Sequence, residues 1–246
     1  MMFRLLLICV VFFASTVPVT AGKIERAFYA LEDYNYFKAK GLFEKSIKRN
    51  ASPASYGLAT IYYRTDNPFH SLDSAYKYII IAEREYGQLK DKKKESYKKF
   101  SFDYLHIAEL QRKISTGFYL LAKKIHTEDA YQEFIDKHPW SIEYHTAIFR
   151  RDSLAYDHAK GLNTSTAFAY FMDKYPESVF LPQATADFSR SQYQEYTITK
   201  TLISYVEFLK KCPDNPYTND AENRIYEIVT ESNTVLSFEK FIQTNL

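Results

Sequence analysis

One twelve-residue phrase occurs three times in the C-terminal half of this chain and constrains its fold more than any other feature. It reads AYQEFIDKHPWS at 130–141, AFAYFMDKYPES at 167–178 and SYVEFLKKCPDN at 204–215. Phe134, Phe171 and Phe208 are thus spaced 37 residues apart, and a proline follows each of them at the same distance. A period of this length is typical of helical hairpins that stack on one another.

Each copy also carries signals for where a helix begins and ends. Thr127, Thr164 and Thr201 keep the period, and a threonine oxygen can accept a hydrogen bond from the first turn of a helix. Asn163 and Asn233 suit the left-handed residue that ends the preceding helix. The repeated proline disfavours helical geometry in the residue before it and cannot continue the hydrogen-bond ladder. We therefore predict a first helix up to each proline and a second helix after it.

A single hairpin cannot bury its apolar face, whereas stacked copies can. The sequence therefore predicts an all-α fold, a TPR-like solenoid of about five to six helix pairs with one continuous core. Large aromatic residues recur on the first helix of each pair, and a small alanine recurs on the second, where two helices must approach closely. The predicted core of this half consists of Tyr131, Phe134, Ala147, Phe168, Phe171, Ala184, Tyr205, Phe208 and Ala221.

A fourth, shorter copy begins at Thr234 and carries Phe238, Phe241 and Ile242 on one apolar face. Solenoids normally end in an element with a polar outer side. We therefore expect either that this helix caps the preceding pair or that the C-terminal end receives a partner or a second copy of the chain. Self-association through the C-terminal end is one prediction.

The N-terminal half shows helical periodicity of a second type. Tyr36, Ala39 and Phe43 have the spacing of a second repeat helix, and Ala59 and Tyr62, with Leu58, that of the first helix of the next repeat. Its partner would carry Ala75, Ile79 and Ala82. We predict Ala39, Phe43, Ala59 and Tyr62 as core residues, and a third helix pair at about 96–111 and 113–125.

The first residues of the chain have the pattern of an export signal. Arg4 is followed by an apolar run from Leu5 to about Ala14 and by small residues near Ala21. We predict a cleaved signal peptide at 1–21, N-terminal hairpins at 22–126 and C-terminal repeats at 127–246, continuous with the first half. The apolar run is shorter than a membrane-spanning helix, and no later stretch is long and apolar enough, so we expect no transmembrane segment in the mature chain.

The net charge bears on the choice of partner, and the cysteine content on disulfide formation. The net charge is +2, and a balanced surface of this kind gives little attraction for phosphates, so we expect no nucleic acid. Removal of Cys9 with the signal leaves only Cys212, which we expect to be a partly buried free thiol.

These hairpin patterns resemble known families. Residues 25–83 resemble tetratricopeptide repeats. Residues 127–241, with the pattern YxxFxxxxPxS, resemble the variant repeats of exported envelope proteins such as BamD-like outer-membrane assembly lipoproteins and periplasmic coordinators of division. The resemblance implies a protein-binding adaptor in the periplasm or at the outer-membrane periphery. Cys9 lacks the residues of a lipidation motif, which departs from the BamD-like pattern.

Two other features could serve binding. The run KDKKKESYKK at 90–99 includes Lys92, Lys93 and Lys94, and is either a solvated loop or helix start, or a contact for an acidic partner or anionic envelope polymer. Trp140 stands where the other copies carry Glu177 and Asp214. It either packs into the turn between repeats or anchors a partner.

Motifs for chemistry do not stand out in this sequence. The six histidines do not have metal-ligand spacing, and neither a GxSxG nor a phosphate-binding loop pattern occurs. We therefore expect no catalytic residues, metal or cofactor. The leading hypothesis is a non-catalytic, exported scaffold that binds protein partners in the cell envelope. The alternatives are a periplasmic module that binds a glycan or peptide, and the N-terminal repeat part of a larger outer-membrane or peptidoglycan-associated protein.

Overall fold

The computed structural model describes residues 22–231 and, beyond them, residues 234, 235, 239 and 243. All regular elements in these residues are helical, which confirms the predicted all-α fold. The helices are α1 (Lys23–Glu32), α2 (Tyr36–Ser46), α3 (Ala51–Tyr63), α4 (Leu72–Tyr86), α5 (Asp91–Tyr97), α6 (Tyr104–Ile125), α7 (Glu128–Lys137), α8 (Tyr144–Leu162), α9 (Ser165–Lys174), α10 (Leu181–Tyr196), α11 (Leu202–Lys211) and α12 (Thr218–Thr230), with a short 3₁₀ turn at Lys98–Phe100.

The chain divides into two compact units, one up to Phe118 and one from Tyr119 onward. The boundary falls inside α6, a few residues before the sequence changes its type of repeat at residue 126. Within each unit, consecutive helices pair as antiparallel neighbours, α1 with α2 and α3 with α4 in unit 1, and α7 with α8, α9 with α10 and α11 with α12 in unit 2. This is the hairpin arrangement that the period predicts.

The core of unit 1 is built around aromatic rings. Phe28 of α1 contacts Phe43 of α2 edge to face at 5.0 Å and stacks on Phe100 at 4.9 Å. The ring of Phe43 lies directly on the backbone of α3 at Gly57, where a Cβ atom would come within 2.2 Å of it. Glycine is required there because α2 and α3 pack so closely that no side chain fits between them.

The prediction of a third helix pair at 96–111 and 113–125 is wrong. Residues 104–125 form the single helix α6, preceded by the short α5 and the 3₁₀ turn. The intervening residues Gln111, Arg112 and Lys113 favour helix and include no residue that would break it. Apolar periodicity continued through this point and gave no sign of a boundary.

In unit 2 the predicted helix starts are confirmed. The side-chain oxygens of Thr127, Thr164 and Thr201 each accept a hydrogen bond from the backbone N–H three residues later, at 3.2–3.3 Å. The residue before each threonine is left-handed, with φ of 57° at His126, 49° at Asn163 and 51° at Lys200. The prediction for Asn163 is thus confirmed, and the same geometry holds where the residue is not asparagine.

The turn after each first helix is also the same in all three copies. The helix ends at a residue with φ near −130°, which the following proline favours. Two residues after the proline, Ser141, Ser178 and Asn215 accept a hydrogen bond from the backbone N–H two positions on, at 3.2, 3.3 and 3.0 Å. These bonds direct the chain into the second helix of each hairpin.

The predicted core residues are buried in their units, except for Tyr62, which is half-buried and stacks on Tyr78 at 5.6 Å. Several predictions lie outside the described residues. These are the signal peptide at 1–21 with Cys9, and Asn233, Phe238, Phe241 and Ile242 in the fourth copy.

Candidate functional site

A repeated tyrosine links each hairpin of unit 2 to the helix that precedes it. Tyr119 in α6, Tyr156 in α8 and Tyr193 in α10 keep the 37-residue period. Their rings pack on the central phenylalanines of the next hairpins, Phe134, Phe171 and Phe208, with centroids 5.6, 5.6 and 5.2 Å apart. Through Tyr119, helix α6 therefore packs on α7 as the second helix of a preceding repeat would.

Two of these tyrosines also bridge to the second helix of the next hairpin. The Tyr156 hydroxyl donates to Asp187 Oδ2 at 2.7 Å, and the Tyr193 hydroxyl donates to Asp220. Burial and the neighbouring carboxylate raise the pKa of Tyr156 to about 12, so its hydroxyl remains a donor at neutral pH. Where the copies agree in this way, packing between hairpins is a sufficient explanation. Positions at which one copy differs are the candidates for function.

The strongest departure lies where the α7–α8 hairpin meets the α9–α10 hairpin, here called the first junction. Helix α8 carries Arg151 and Asp152 there, whereas the corresponding residues of α10 are Phe188 and Ser189. Asp152 is only 2% exposed, and Arg151 donates to its Oδ1 from Nε and Nη2 at 2.9 and 2.6 Å. A third donation runs from Arg151 Nη1 to Gln132 Oε1 at 2.7 Å. One copy thus holds a buried ion pair where the next has an apolar residue.

A second set of polar contacts connects α7 to the end of α9 at the first junction. Lys174 donates to Glu128, and the Tyr175 hydroxyl donates to the same carboxylate at 2.6 Å. Burial opposes the charge on Glu128, but these two hydrogen bonds and the positive charges of Lys174 and Arg151 together outweigh it and hold the pKa of the carboxyl below its usual range. The Arg151 guanidinium lies 4.5 Å from the centroid of the Tyr175 ring. The start of α7, the middle of α8 and the end of α9 are thereby held together.

Between these contacts lies an open groove of about 800 Å³, hereafter the groove. Its apolar lining includes Ile135, Ile148, Phe149 and Val179, and its polar lining includes Glu128, Asp129, Gln132, His145, Arg151, Asp152, Lys174 and Glu177. Val179 is 65% exposed and Phe149 is 45% exposed, so the apolar floor is accessible to solvent. A pocket of this size and mixed lining can hold a small ligand or a short stretch of polypeptide.

Trp140 lies in the turn between α7 and α8. Its ring packs edge-on against His138, with centroids 5.9 Å apart, and is 46% exposed. His138 is fully buried beside Phe134, and burial lowers its pKa to about 4, so it is neutral at physiological pH. Trp140 therefore both packs on the turn and presents a ring face, and it does not line the groove.

The predicted lysine cluster is separate from the groove. Lys92, Lys93 and Lys94 lie on α5 in unit 1. Lys94 pairs with Asp91 at 3.2 Å and lies 5.3 Å from the centre of the Tyr86 ring, while Lys93 Nζ approaches Asn50 at 3.4 Å. The run is thus a short solvated helix, and Lys92 and Lys93 are exposed.

Unit 1 has a cavity of its own, of about 640 Å³, beside the loop between α3 and α4. Arg64 lies 5.3 Å from the centre of the Tyr34 ring, and Tyr34 is 65% exposed. The Tyr36 hydroxyl donates to Asp66 at 2.7 Å. Aromatic and charged groups meet here, but on a separate unit from the groove.

The predictions on cysteine, metal ligands and membrane-spanning helices can be compared with the described residues. Cys212 is a free, half-buried thiol as predicted, and burial raises its pKa. Within the described part of the chain, no three histidine, cysteine or acidic side chains are placed to share a metal ion. No helix among the described residues is both long enough and apolar enough to cross a bilayer.

Comparison with known proteins gives no family assignment. No protein-family model matches this chain, and no curated protein matches it with significance.

Sequence reasoning missed the residues that form the groove. The bridging tyrosines keep the period and could have been found by extending the alignment of copies beyond the phrase. Arg151, Asp152 and Glu128 were also visible as departures from that alignment. Their contacts with Gln132, Lys174 and Tyr175 were not, because these contacts connect three helices that are separated in sequence.

Proposed function

We propose that this protein is a non-catalytic repeat scaffold that binds an extended segment of a partner protein in the groove of unit 2. The observation that carries the proposal is an apolar floor left open to solvent inside a frame of hydrogen-bonded charges. Protein-binding surfaces combine these two parts, an apolar centre that excludes water and a polar rim that fixes orientation. Phe149 and Val179 supply the centre, and Arg151, Lys174 and Glu128 supply the rim.

The structure of the frame supports binding without large rearrangement. The Glu128–Lys174 ion pair connects α7 to α9, and Arg151 of α8 contacts both Gln132 of α7 and the Tyr175 ring at the end of α9. A site that is already ordered before binding loses less conformational entropy when the partner arrives. We further propose that the protein acts in the cell envelope, which is supported by the export pattern of its first residues and by its resemblance to exported repeat adaptors.

Site-specific photocrosslinking in the cells that produce the protein tests the binding site. A photoreactive amino acid at Val179 should give a discrete crosslinked protein adduct. The matched control is the same amino acid at Ile203, which is 78% exposed on α11 and does not line the groove. Identical adducts from both positions, or none from Val179, would contradict the proposed site.

A further inference from the structure

The charges that line the groove are unequal in number. Four carboxylates, of Glu128, Asp129, Asp152 and Glu177, face two permanent cations, Arg151 and Lys174. Both cations are already bonded, Arg151 to Asp152 and Lys174 to Glu128. Among the described residues, the carboxylates of Asp129 and Glu177 form no ion pair, and both side chains are exposed. The groove therefore presents two negative charges that are not compensated within it.

The positions of these two carboxylates follow from the frame. Lys174 at the end of α9 bonds Glu128 in the first turn of α7. Asp129 is the next residue after Glu128, and Glu177 comes three residues after Lys174, so both flank this contact. They line the same cavity as the exposed apolar residues Phe149 and Val179. A cationic group and an apolar group could thus be bound side by side.

We propose that the groove selects a protein segment in which a lysine or arginine stands next to aliphatic or aromatic residues. The cation pairs with Asp129 and Glu177, and the neighbouring apolar side chains cover Phe149 and Val179. A segment rich in acidic residues is repelled by the same two carboxylates, as like charges brought together at an interface oppose binding. This inference rests on the proposed function and specifies the chemistry of the partner.

Fluorescence anisotropy with the full chain tests the inference. One probe is a labelled pool of short peptides in which apolar residues alternate with lysine, and the other is the matched pool with glutamate in place of lysine. The test variant is Asp129→Asn with Glu177→Gln. The control variant, Asp214→Asn with Glu222→Gln, removes the same charge from the third hairpin, and Asp214 occupies the position that corresponds to Glu177.

We expect the lysine pool to bind and the glutamate pool to bind at least several-fold more weakly. The test variant should weaken binding of the lysine pool by about 2- to 30-fold, which is the range for the loss of two solvent-exposed ion pairs. The control variant should bind like the original protein. Added salt should weaken binding of the lysine pool to the original protein but have little effect with the test variant.

The outcomes separate the two proposals. If neither pool binds, the proposed function of the groove fails. If both pools bind equally, or if the test and control variants behave alike, the groove binds peptides but the charge selection is overturned. Circular dichroism of both variants checks that neither pair of substitutions alters the helical fold.

Discussion

The buried ion pair of the first junction can be replaced by residues that the chain itself uses one repeat later. We consider Arg151→Phe with Asp152→Ser, which gives α8 the residues that α10 carries as Phe188 and Ser189. Replacing a buried ion pair by well-packed hydrophobic residues is often neutral, or stabilising by about 1–4 kcal/mol, since both desolvation penalties disappear. Here phenylalanine supplies the apolar side chain, and serine replaces the charged carboxylate by a small uncharged hydroxyl. Asp152→Ser alone should instead cost about 3–5 kcal/mol, because the Arg151 side chain, 14% exposed, then lacks its carboxylate.

Urea unfolding of the three proteins gives the free energies of unfolding that test this prediction. Trp140 is the only tryptophan of the chain and lies in the turn between α7 and α8, so its fluorescence reports on the unfolding of this hairpin of unit 2. The expected result is a free energy of unfolding for the double variant equal to or above that of the original protein, with the single variant well below both. A double variant as unstable as the single one would show that the ion pair is retained for folding. That result would contradict a role of the ion pair in binding alone.

Two further predictions concern the repeat core and the frame of the groove. Phe171→Ala should lower the free energy of unfolding by about 3–5 kcal/mol, since Phe171 is 2% exposed. Tyr170→Ala, at a position that is 65% exposed, should lower it by less than about 1 kcal/mol. Equal effects of the two substitutions in urea unfolding would contradict the repeat register. Glu128 has a folded-state pKa below its usual value of about 4.5, so the stability it contributes is complete above that pH and is lost as the pH falls through the folded-state pKa. The unfolding free energies of the original protein and of Glu128→Gln should therefore differ by about 1 kcal/mol at neutral pH and converge in acid, and a constant difference would refute this assignment.

The regular part of unit 2 could be predicted in detail because its signals are local. A threonine that caps a helix and a proline that ends one act within a few residues, and the period repeats them three times. The error at helix α6 has a different cause. Its apolar periodicity runs through residues 111–113 without a helix-breaking residue, which favours one long helix, and the expectation of paired helices led to the wrong division. The bridging tyrosines keep the period too, but their hydrogen bonds to aspartates about 30 residues away required the fold to be known.

The groove was beyond prediction because its residues break the period that made the rest predictable. A repeat protein needs the same side chains at every junction for packing, so agreement among copies has a structural cause. Stacking alone does not require Arg151 where the later hairpins carry Phe188 and the buried Ile225. A buried charge is costly unless it is paired. An ion pair in place of an apolar contact at one junction therefore adds little to the free energy of folding. Under the proposed function, the paired charges serve the partner segment that the groove binds, and restoring the repeat residues at 151 and 152 should then cause no loss of stability.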